Sequence, residues 1–272
     1  MISINILVTL NRGYVGPLTV MLKSLVSSHC GENMDVYVMN STLCSEDYES
    51  VRSRINCDRC RLIDVKIDDS MLNDAPVTDR YPKEMYYRIF ASKFLPEDIS
   101  RILYLDPDLV VIKDLSELYN MDMDGYLFAA ATHVNRPLRK INNLRIQSES
   151  DGPYINSGVM LMNIEALRRE QDFDTVFEYI RKRRRMLFWP DQDIISAIYS
   201  NMILDIDPYI YNMSEKLLFL RLGDYGVKGG VDLEWVRQNS AIIHYCGRNK
   251  PWKENYFGLL GEFYFKYENM LL

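Results

Sequence analysis

The chain has 272 residues, of which 47% are hydrophobic and 26% are charged. This length suits one large α/β domain or two small ones, and the composition is that of an ordinary globular protein. The net charge is −6 and the pI is about 5.2. These values argue against nucleic acid as a partner, because phosphate backbones bind basic surfaces. No apolar run approaches the length of about 18 residues that predicts a transmembrane helix.

Strand-like and helix-like segments alternate along the first half of the chain. This order predicts parallel strands wound with helices on both faces, with ligands bound at the carboxyl ends of the strands. The predicted strands are Ile4–Leu10, Asp35–Met39, Arg61–Ile67 and Arg101–Leu105. The predicted helices are Pro17–Ser28, a second helix capped by Ser45, and Met85–Leu95.

The second half is less regular. The predicted strands are Leu127–Ala131, Ser157–Asn163 and Ala241–His244, and the predicted helices are Glu165–Arg185, Asp191–Ser200 and a docked C-terminal helix. The polar stretch Asn135–Gly152 lacks periodicity, which predicts a lid or an acceptor-binding loop. The glycine-rich segment 223–230 suits a surface loop as well as a mobile flap over a ligand.

Cysteine usage and one basic run bear on the cellular environment. The five cysteines are an odd number with no secretory signal before them, which predicts a reducing cytoplasm. The pair Cys57 and Cys60 lacks the second ligand pair that a zinc site requires. The run Arg181–Arg185 is interpreted as the solvated end of a helix. Its alternative interpretation is a peripheral contact with an anionic membrane surface or an anionic acceptor.

The segment Leu103–Val111 carries the first chemical signal. An apolar strand runs into Asp106 and Asp108, and apolar residues resume at once. Burying two carboxylates is costly unless a cation compensates them. Residues i and i+2 of an extended chain share a side, so this pair can converge on Mg²⁺ or Mn²⁺. Asp-Pro-Asp is also a good turn sequence, so the pair alone leaves a turn and a metal site open.

His244 carries the second signal, because it follows the apolar strand Ala241–Ile243. An imidazole beside two carboxylates makes a mixed nitrogen and oxygen site, which favours Mn²⁺ over Mg²⁺. Gly247 permits close backbone approach, and Lys250 supplies a cation nearby. A glycine and a lysine beside a metal ligand suggest that the partner is a diphosphate.

Four segments together resemble glycosyltransferase family 8, whose members are retaining, metal-dependent transferases. They occur in the family's order, and the resemblance covers roughly residues 1–255. It is closest to bacterial galactosyl- and glucosyltransferases that build surface glycans such as lipopolysaccharide. The segments are the Asp-x-Asp strand Leu103–Val110, Asn156–Val159, Asp191–Asp193, and His244–Trp252, which resembles His-x-x-Gly-x-x-Lys-Pro-Trp.

The resemblance implies the fold as well. The expected fold class is α/β: a GT-A fold with a Rossmann-like mixed central sheet flanked by helices, in a single domain. Residues 1–255 would form the glycosyltransferase domain, and residues 256–272 would form a C-terminal helical extension.

Metal and phosphate roles also follow from the resemblance. Asp106, Asp108 and His244 would hold Mn²⁺, with Mg²⁺ as the alternative. The ion would bridge the diphosphate of UDP-glucose or UDP-galactose. Gly247 and Lys250 would contact the phosphates.

The uridine part of the donor would lie at the N-terminal turn. Thr9, Asn11 and Tyr14 are the residues that the resemblance assigns to uracil and ribose. Family members often have Asp at the position of Asn11, which leaves base selectivity open. An aspartate common near residues 131–134 is replaced here, with His133 as its expected occupant, which leaves sugar identity open.

The sugar pocket would draw on three further segments. The resemblance places Arg88 near the donor sugar or phosphate, and Asn156 and Ser157 along the sugar. Asp191 would bind sugar hydroxyls, with a helix cap as its alternative role. Gln192 would lie under the anomeric carbon.

The predicted function is retaining transfer of glucose or galactose from a UDP-sugar to a hydroxyl of a glycan or glycolipid. Because the amide of Gln192 is a poor nucleophile, we favour internal return, in which the acceptor attacks from the face that the diphosphate leaves. One alternative is a nucleotidyltransferase, for which Asn11–Gly13 is too small a phosphate loop. The other is a non-catalytic nucleotide-sugar-binding protein, against which the intact metal trio argues.

Overall fold

The computed structural model describes residues 3–29, 31–73, 75–77, 82–148, 150–222 and 231–272. Its strands alternate with helices, as the periodicity predicts. The strands are β1 (Ser3–Thr9), β2 (Asn33–Asn40), β3 (Cys60–Lys66), β4 (Arg101–Leu105), β5 (Leu109–Val111), β6 (Phe128–Thr132), β7 (Ile155–Asn163), β8 (Ile203–Ile206) and β9 (Ile242–His244). The helices are α1 (Val15–Ser28), α2 (Ser45–Ile55), α3 (Glu84–Tyr87), α4 (Ala91–Phe94), α5 (Ser116–Tyr119), α6 (Arg136–Ile146), α7 (Ile164–Glu170), α8 (Phe173–Arg183), α9 (Pro190–Ile198), α10 (Pro208–Tyr211), α11 (Glu215–Leu222), α12 (Leu233–Asn239) and α13 (Gly261–Asn269).

Seven strands form the central sheet in the order β3-β2-β1-β4-β7-β6-β8. Strands β3, β2, β1 and β4 are parallel, which confirms the prediction for the first half. Strand β7 runs antiparallel to both of its neighbours, so the whole sheet is mixed. Strands β5 and β9 pair antiparallel in a separate two-stranded sheet. This small sheet brings the segment after β4 beside the end of the last strand.

Helices cover both faces of the central sheet because side chains alternate along its strands. Ile6 and Val8 face the layer that contains α1 and α2, whereas Leu7 and Tyr104 face the opposite layer. That opposite layer includes the helical segment before β4 and helices α7 to α9. A third cluster joins α13 to α1 and to the small sheet, with Tyr264 buried in it. Within the described ranges, no helix is long and apolar enough to span a bilayer.

Two predicted helices are wrong as continuous elements. The segment Met85–Leu95 is interrupted by a 3-10 turn at Arg88–Phe90, which separates α3 from α4. The segment Glu165–Arg185 divides into α7 and α8, because Asp172 accepts a hydrogen bond from the N–H of Asp174 and starts a new helix. The regular spacing of hydrophobic residues continues across such breaks in a helix, so periodicity alone does not show them.

Helix α2 and the polar stretch also differ from expectation. The N-cap of α2 is Cys44, whose N–H donates to Asp47, so the prediction of Ser45 as the cap is wrong by one residue. The stretch 135–152 contains helix α6, capped by the side chain of Asn135, and is therefore not an irregular loop. Its lid role stays a prediction. The segment 223–230, considered as a flap, lies outside the described residues.

Candidate metal and donor site

The candidate site lies at the carboxyl ends of β1 and β4. Asp106-Pro107-Asp108 forms a tight turn between β4 and β5, so the turn interpretation is correct. Pairing of β5 with β9 sets Leu109 opposite His244, and the N–H of Tyr245 donates to the carbonyl of Asp108 at 3.0 Å. The turn therefore brings both carboxylates to the histidine, instead of excluding a metal site.

Three ligand atoms converge at this turn. Nε2 of His244 lies 3.2 Å from Oδ1 of Asp108 and 3.7 Å from Oδ2 of Asp106. The three side chains each offer one ligand atom, and these atoms lie within 4.8 Å of one another. His244 and Asp108 are buried, whereas 19% of the Asp106 side chain is exposed. The cluster is thus closed by protein on most sides and open beside Asp106.

The outward oxygens of the two carboxylates are held by other groups. Oδ1 of Asp106 accepts a hydrogen bond from the hydroxyl of Tyr104 at 2.5 Å and forms an ion pair with Arg88 at 3.0 Å. Oδ2 of Asp108 is held by the ammonium of Lys250. Burial raises the pKa of Asp108, but the interaction with the ammonium of Lys250 outweighs it and holds that pKa well below its ordinary value. Each carboxylate therefore directs one oxygen to the shared centre.

The donor set fits a divalent cation. Nδ1 of His244 lies 2.9 Å from the side-chain oxygen of Asn212, which can only accept a hydrogen bond. When the ring is neutral, its proton is therefore on Nδ1, and the lone pair of Nε2 faces Asp106 and Asp108. Such an arrangement is repulsive unless a cation lies between the groups. One imidazole nitrogen and two carboxylate oxygens suit Mn²⁺, and Mg²⁺ less well.

A glycine makes the close approach of these ligands possible. A Cβ atom on Gly158 would lie 2.2 Å from Cε1 of His244 and 2.7 Å from Oδ2 of Asp106. Both distances are far below van der Waals contact, so no other residue fits here without moving a ligand. Gly158 also accepts the N–H of Asp106 at 2.8 Å. The segment Asn156–Val159 contains this glycine, but the sequence alone does not show why a glycine is needed there.

Arg88 is buried between two carboxylates. Its guanidinium lies 3.0 Å from Asp106 and 3.0 Å from Asp191, and it stacks over the ring of Tyr104 at 4.4 Å. The 3-10 turn at 88–90 sets this position. The Nε atom of Arg88 is buried without a hydrogen-bond partner among the described residues.

Strand β7 and helix α9 bring the predicted sugar-pocket residues together. The hydroxyl of Ser157 donates to Asp191 at 2.7 Å, and the amide of Asn156 donates to Oε1 of Gln192 at 3.2 Å. Burial raises the pKa of Asp191 above its ordinary value, and the charge of Arg88 opposes that rise only in part. Asp191 thus faces the metal cluster across Arg88, whereas Gln192 lies beside Asn156.

The cap role considered for Asp191 is wrong. Helix α9 begins after Trp189. The backbone N–H groups that precede this helix donate to Asp193 and not to Asp191, with the N–H of Phe188 at 2.8 Å from the Asp193 carboxylate. Asp193 is fully buried and also accepts two hydrogen bonds from Arg145 and one from Tyr154. Sequence reasoning gave Asp193 no role, although it joins α6 to the start of α9.

The N-terminal turn lies beside the metal strand. The hydroxyl of Thr9 lies 3.1 Å from that of Tyr104, which in turn holds the metal-site carboxylate. The side chain of Asn11 accepts the N–H of Gly13 at 3.0 Å and so caps a 3-10 turn over residues 12–14. The side-chain oxygen of Asn11 is therefore held by the backbone N–H of Gly13.

The predicted phosphate-binding residues lie on the other side of the cleft. The ring of Tyr14 packs edge-on against Trp252, with centroids 6.0 Å apart, and so joins the two segments. Gly247 has a φ of 99°, a conformation that favours glycine. Lys250 is buried, with its ammonium shared between Asp108 and the carbonyl of Tyr245. It compensates the metal-site charge while lying at the edge of the cleft.

Sequence reasoning also missed Asn212, which is fully buried beside the metal cluster. No motif signals it, because it follows the short helix α10 and contacts His244 only through the fold. His133 lies next to it and donates from Nε2 to the carbonyl of Asn212 at 2.8 Å. Burial, assisted by the nearby His244, lowers the pKa of His133 to about 3, so this ring is neutral.

The fold of this chain is found in a known protein. The galactosyltransferase LgtC, solved with donor and acceptor sugar analogues, superposes with a TM-score of 0.82 at 19% identity, over 98% of this chain and 95% of LgtC. This match confirms the GT-A fold and its mixed central sheet in a single domain.

Two curated relatives are bacterial. General stress protein A of Bacillus subtilis is 28% identical over 195 residues, which are 70% of this chain and 66% of that protein. A lipopolysaccharide 1,2-glucosyltransferase of Escherichia coli K12 is 23% identical over 252 residues, which are 92% of this chain and 72% of that protein. The chain thus spans about two thirds of the length of these relatives.

The family itself is shown by a match along nearly the whole chain. The sequence model of Glycosyl transferase family 8 matches residues 5–256, a range that contains every residue of the candidate site. The chain therefore belongs to glycosyl transferase family 8, and its enzyme class is that of a glycosyltransferase.

Proposed function

We propose that this protein transfers glucose or galactose from a UDP-sugar to a hydroxyl of a glycan or glycolipid, with retention at the anomeric carbon and with Mn²⁺. The observation that carries the proposal is the convergence of Asp106, Asp108 and His244 beside Arg88 and Asp191. A candidate metal site and two buried charged groups lie side by side, which suits a diphosphate joined to a sugar. The lipopolysaccharide glucosyltransferase and LgtC among the similar proteins support a role in surface glycan synthesis.

The residues have distinct tasks in this proposal. Bound Mn²⁺ supplies Lewis-acid stabilisation of the departing diphosphate. Lys250 and the turn at Gly247 hold the phosphates. Arg88, which lies between Asp106 and Asp191, orients the donor. Thr9, Asn11 and Tyr14 receive the uridine. These interactions act on charge that develops as the sugar–phosphate bond breaks.

The sugar pocket bears on how retention is achieved. Oδ2 of Asp191 already accepts from Ser157 and pairs with Arg88, so it is poorly suited as a nucleophile. The oxygen of Gln192 is neutral and accepts from Asn156. Both facts support internal return, in which the departing phosphate oxygen takes the proton of the acceptor hydroxyl. Asp191 and Asn156 would then bind sugar hydroxyls.

A donor screen tests the function. Purified protein is incubated with UDP-glucose, UDP-galactose and other nucleotide sugars, in Mn²⁺, Mg²⁺ or EDTA, and UDP release is measured. We expect release from one UDP-hexose with Mn²⁺, less with Mg²⁺ and none with EDTA. Equal turnover in EDTA would contradict the metal role. Tight donor binding without turnover on any acceptor would favour the non-catalytic binding protein. Pyrophosphate release in a parallel incubation with UTP and a hexose 1-phosphate would favour the nucleotidyltransferase.

Gln192→Ala tests the position of the amide under the anomeric carbon. We expect kcat to fall about 100-fold with little change in Mn²⁺ affinity, because an oriented dipole near the reacting carbon is lost. NMR of the product gives the anomeric configuration. Near-full activity of this variant would remove Gln192 from the reaction, and an inverted product would contradict retention.

We also propose a cytoplasmic location with peripheral contact to an anionic membrane. Of the basic run 181–185, all but Arg183 are exposed at the end of α8, and the nearby helix α6 exposes Leu138, Ile141 and Leu144. Phe188 lies between them, 57% exposed and stacked on Arg145 of α6. Exposed apolar side chains among cations suit a bilayer with anionic headgroups, at about 1 kcal/mol per cation.

Vesicle sedimentation tests that contact. We expect binding to vesicles that contain phosphatidylglycerol and none to phosphatidylcholine vesicles, with binding lost in high salt. The paired variant Arg184→Glu and Arg185→Glu should lose binding, whereas Arg54→Glu with Arg169→Glu, which makes the same charge change elsewhere on the surface, should keep it. Equal loss of vesicle binding in both double variants would mean that net charge determines binding, and not this particular surface.

A further inference from the structure

Asn212 connects the metal cluster to the sugar pocket through a chain of side-chain amides. Its oxygen faces Nδ1 of His244 at 2.9 Å, and its N–H₂ lies 3.0 Å from the oxygen of Asn156. Asn156 in turn donates to Gln192 at 3.2 Å. One buried residue therefore contacts a metal ligand on one side and the group that orients Gln192 on the other.

The orientation of every amide in this chain follows from one backbone group. The N–H of Gly158 can only donate, and it points at Oδ1 of Asn156 at 3.1 Å. The N–H₂ of Asn156 must then face Gln192. Because Oδ1 of Asn156 accepts, Asn212 presents its N–H₂ to Asn156 and its oxygen to His244.

The fold holds Asn212 in this place at its backbone as well. Its carbonyl accepts the N–H of His133, and its own N–H donates to the carbonyl of Pro208 at 3.1 Å. The next residue, Met213, bridges to β9 by donating to Ile242 and accepting from His244. Asn212 is thus attached to the strand that carries the metal ligand, and it has little freedom to turn away.

We infer that Asn212 is a positioning residue that fixes the Nδ1–H tautomer of His244, so that Nε2 is available to the metal, and that holds Asn156 against Gln192. The inference rests on the proposed function for its metal and its sugar pocket. A hydrogen bond to the far nitrogen of a metal-bound imidazole sets the ring orientation and raises its basicity. The same amide couples that ligand to the residue under the anomeric carbon.

Two substitutions separate the roles of Asn212. Asn212→Ala removes both hydrogen bonds, and we expect Mn²⁺ affinity to fall about 10- to 100-fold. Asn212→Asp keeps an acceptor for His244 but loses the N–H₂ that Asn156 needs. We expect this variant to bind Mn²⁺ nearly as well as the wild type, while its kcat falls with little change in KM.

Mn²⁺ affinity is measured from the electron paramagnetic resonance signal of free ion, on protein stripped with EDTA and without donor. Asn163→Ala is the matched control, since this asparagine caps α7 at the end of β7 that lies away from Asn156. This variant should bind Mn²⁺ normally. Thermal melting by circular dichroism reports folding of each variant, and the isosteric Asn212→Asp serves if Asn212→Ala is unfolded.

The inference is overturned if Asn212→Ala binds Mn²⁺ as tightly as the wild type. It is also overturned if Asn212→Asp loses as much affinity as a folded Asn212→Ala, because the acceptor would then not matter. If the wild type itself binds no Mn²⁺, the proposed metal dependence fails, and the positioning role fails with it. Normal wild-type binding with an unaffected Asn212→Ala would refute the positioning role alone.

Discussion

Two Asp-x-Asp pairs among the described residues are largely enclosed by protein, and they behave differently. Asp106 and Asp108 each direct an oxygen at Nε2 of His244, at 3.7 Å and 3.2 Å. Asp191 and Asp193 diverge, since the first faces the cleft and the second is fully buried on the other side of α9. The same spacing therefore yields a candidate metal site in one place and two unrelated ion pairs in the other.

The backbone explains the difference. Two residues that flank the proline of a tight turn can face one centre, and the pairing of β5 with β9 adds the histidine. In a helix, residues i and i+2 are roughly 200° apart around the axis, so Asp191 and Asp193 cannot share an ion. Arg88 and Arg145 compensate them separately. Spacing indicates a metal site only when the local conformation brings the carboxylates together.

Replacing a carboxylate of the first pair should have the largest effect. Asp108→Asn removes a charge from the metal centre and leaves Lys250 without its partner. We expect sugar transfer to fall about 1,000-fold, because the metal contributes several kcal/mol to the reaction. UDP release at saturating Mn²⁺ measures this loss. A variant that recovers full activity with more Mn²⁺ would show that Asp108 contributes only to metal affinity.

Replacing Asp193 should change stability instead of metal binding. Asp193→Asn leaves the partly buried guanidinium of Arg145 uncompensated, and we expect the free energy of unfolding to fall by about 3 kcal/mol. Urea unfolding gives that value, and Mn²⁺ affinity should stay at the wild-type level. Loss of Mn²⁺ binding in a fully folded variant would mean that the two pairs are coupled, contrary to the comparison.

Filling the space beside the first pair should weaken metal binding without removing any ligand. In Gly158→Ala the new Cβ would displace His244 or Asp106, and we expect about a 10-fold loss of Mn²⁺ affinity with a loss of roughly 1–3 kcal/mol in stability. Gly16→Ala is the control, because nothing lies within 4 Å of its Cβ position in α1. It should stabilise the helix by about 0.5–1 kcal/mol. Unchanged Mn²⁺ affinity in Gly158→Ala would show that the ligands can shift freely.

The smallest effect concerns the pH dependence of stability. Burial raises the pKa of Asp191, so the folded state holds its proton to higher pH than the unfolded state, and stability is lost as pH rises from about 4 through the folded pKa. Asp191→Asn should remove this loss, as measured by urea unfolding in EDTA across that range.

Asp172 provides the opposite case. Hydrogen bonds from the hydroxyl of Thr175 and from the backbone lower its pKa, so its contribution is present at neutral pH and is lost as pH falls through the folded pKa. Asp172→Asn should therefore remove a dependence of the opposite sign. Two variants that change the pH profile in the same direction would contradict the assignment of Asp191.

Much of the fold could be read from the sequence, because strand alternation and helical spacing are local. The strands of the first half and helix α1 lie close to their predicted bounds. The breaks at Arg88 and Asp172 were not visible, since hydrophobic spacing continues across them. Helix α6 was missed because its buried residues are Asn143 and Ile146, so its sequence has no apolar stripe that marks a buried face.

For the site, the sequence by itself determined which groups could bind a metal and a diphosphate, because Asp106, Asp108, His244 and Lys250 lie in short segments with strong chemical character. Only the tertiary structure decided how they are arranged. Gly158 and Asn212 act through contacts with His244 that span 86 and 32 residues of chain. Such contacts depend on strand order and on the pairing of β9, and no local pattern records them.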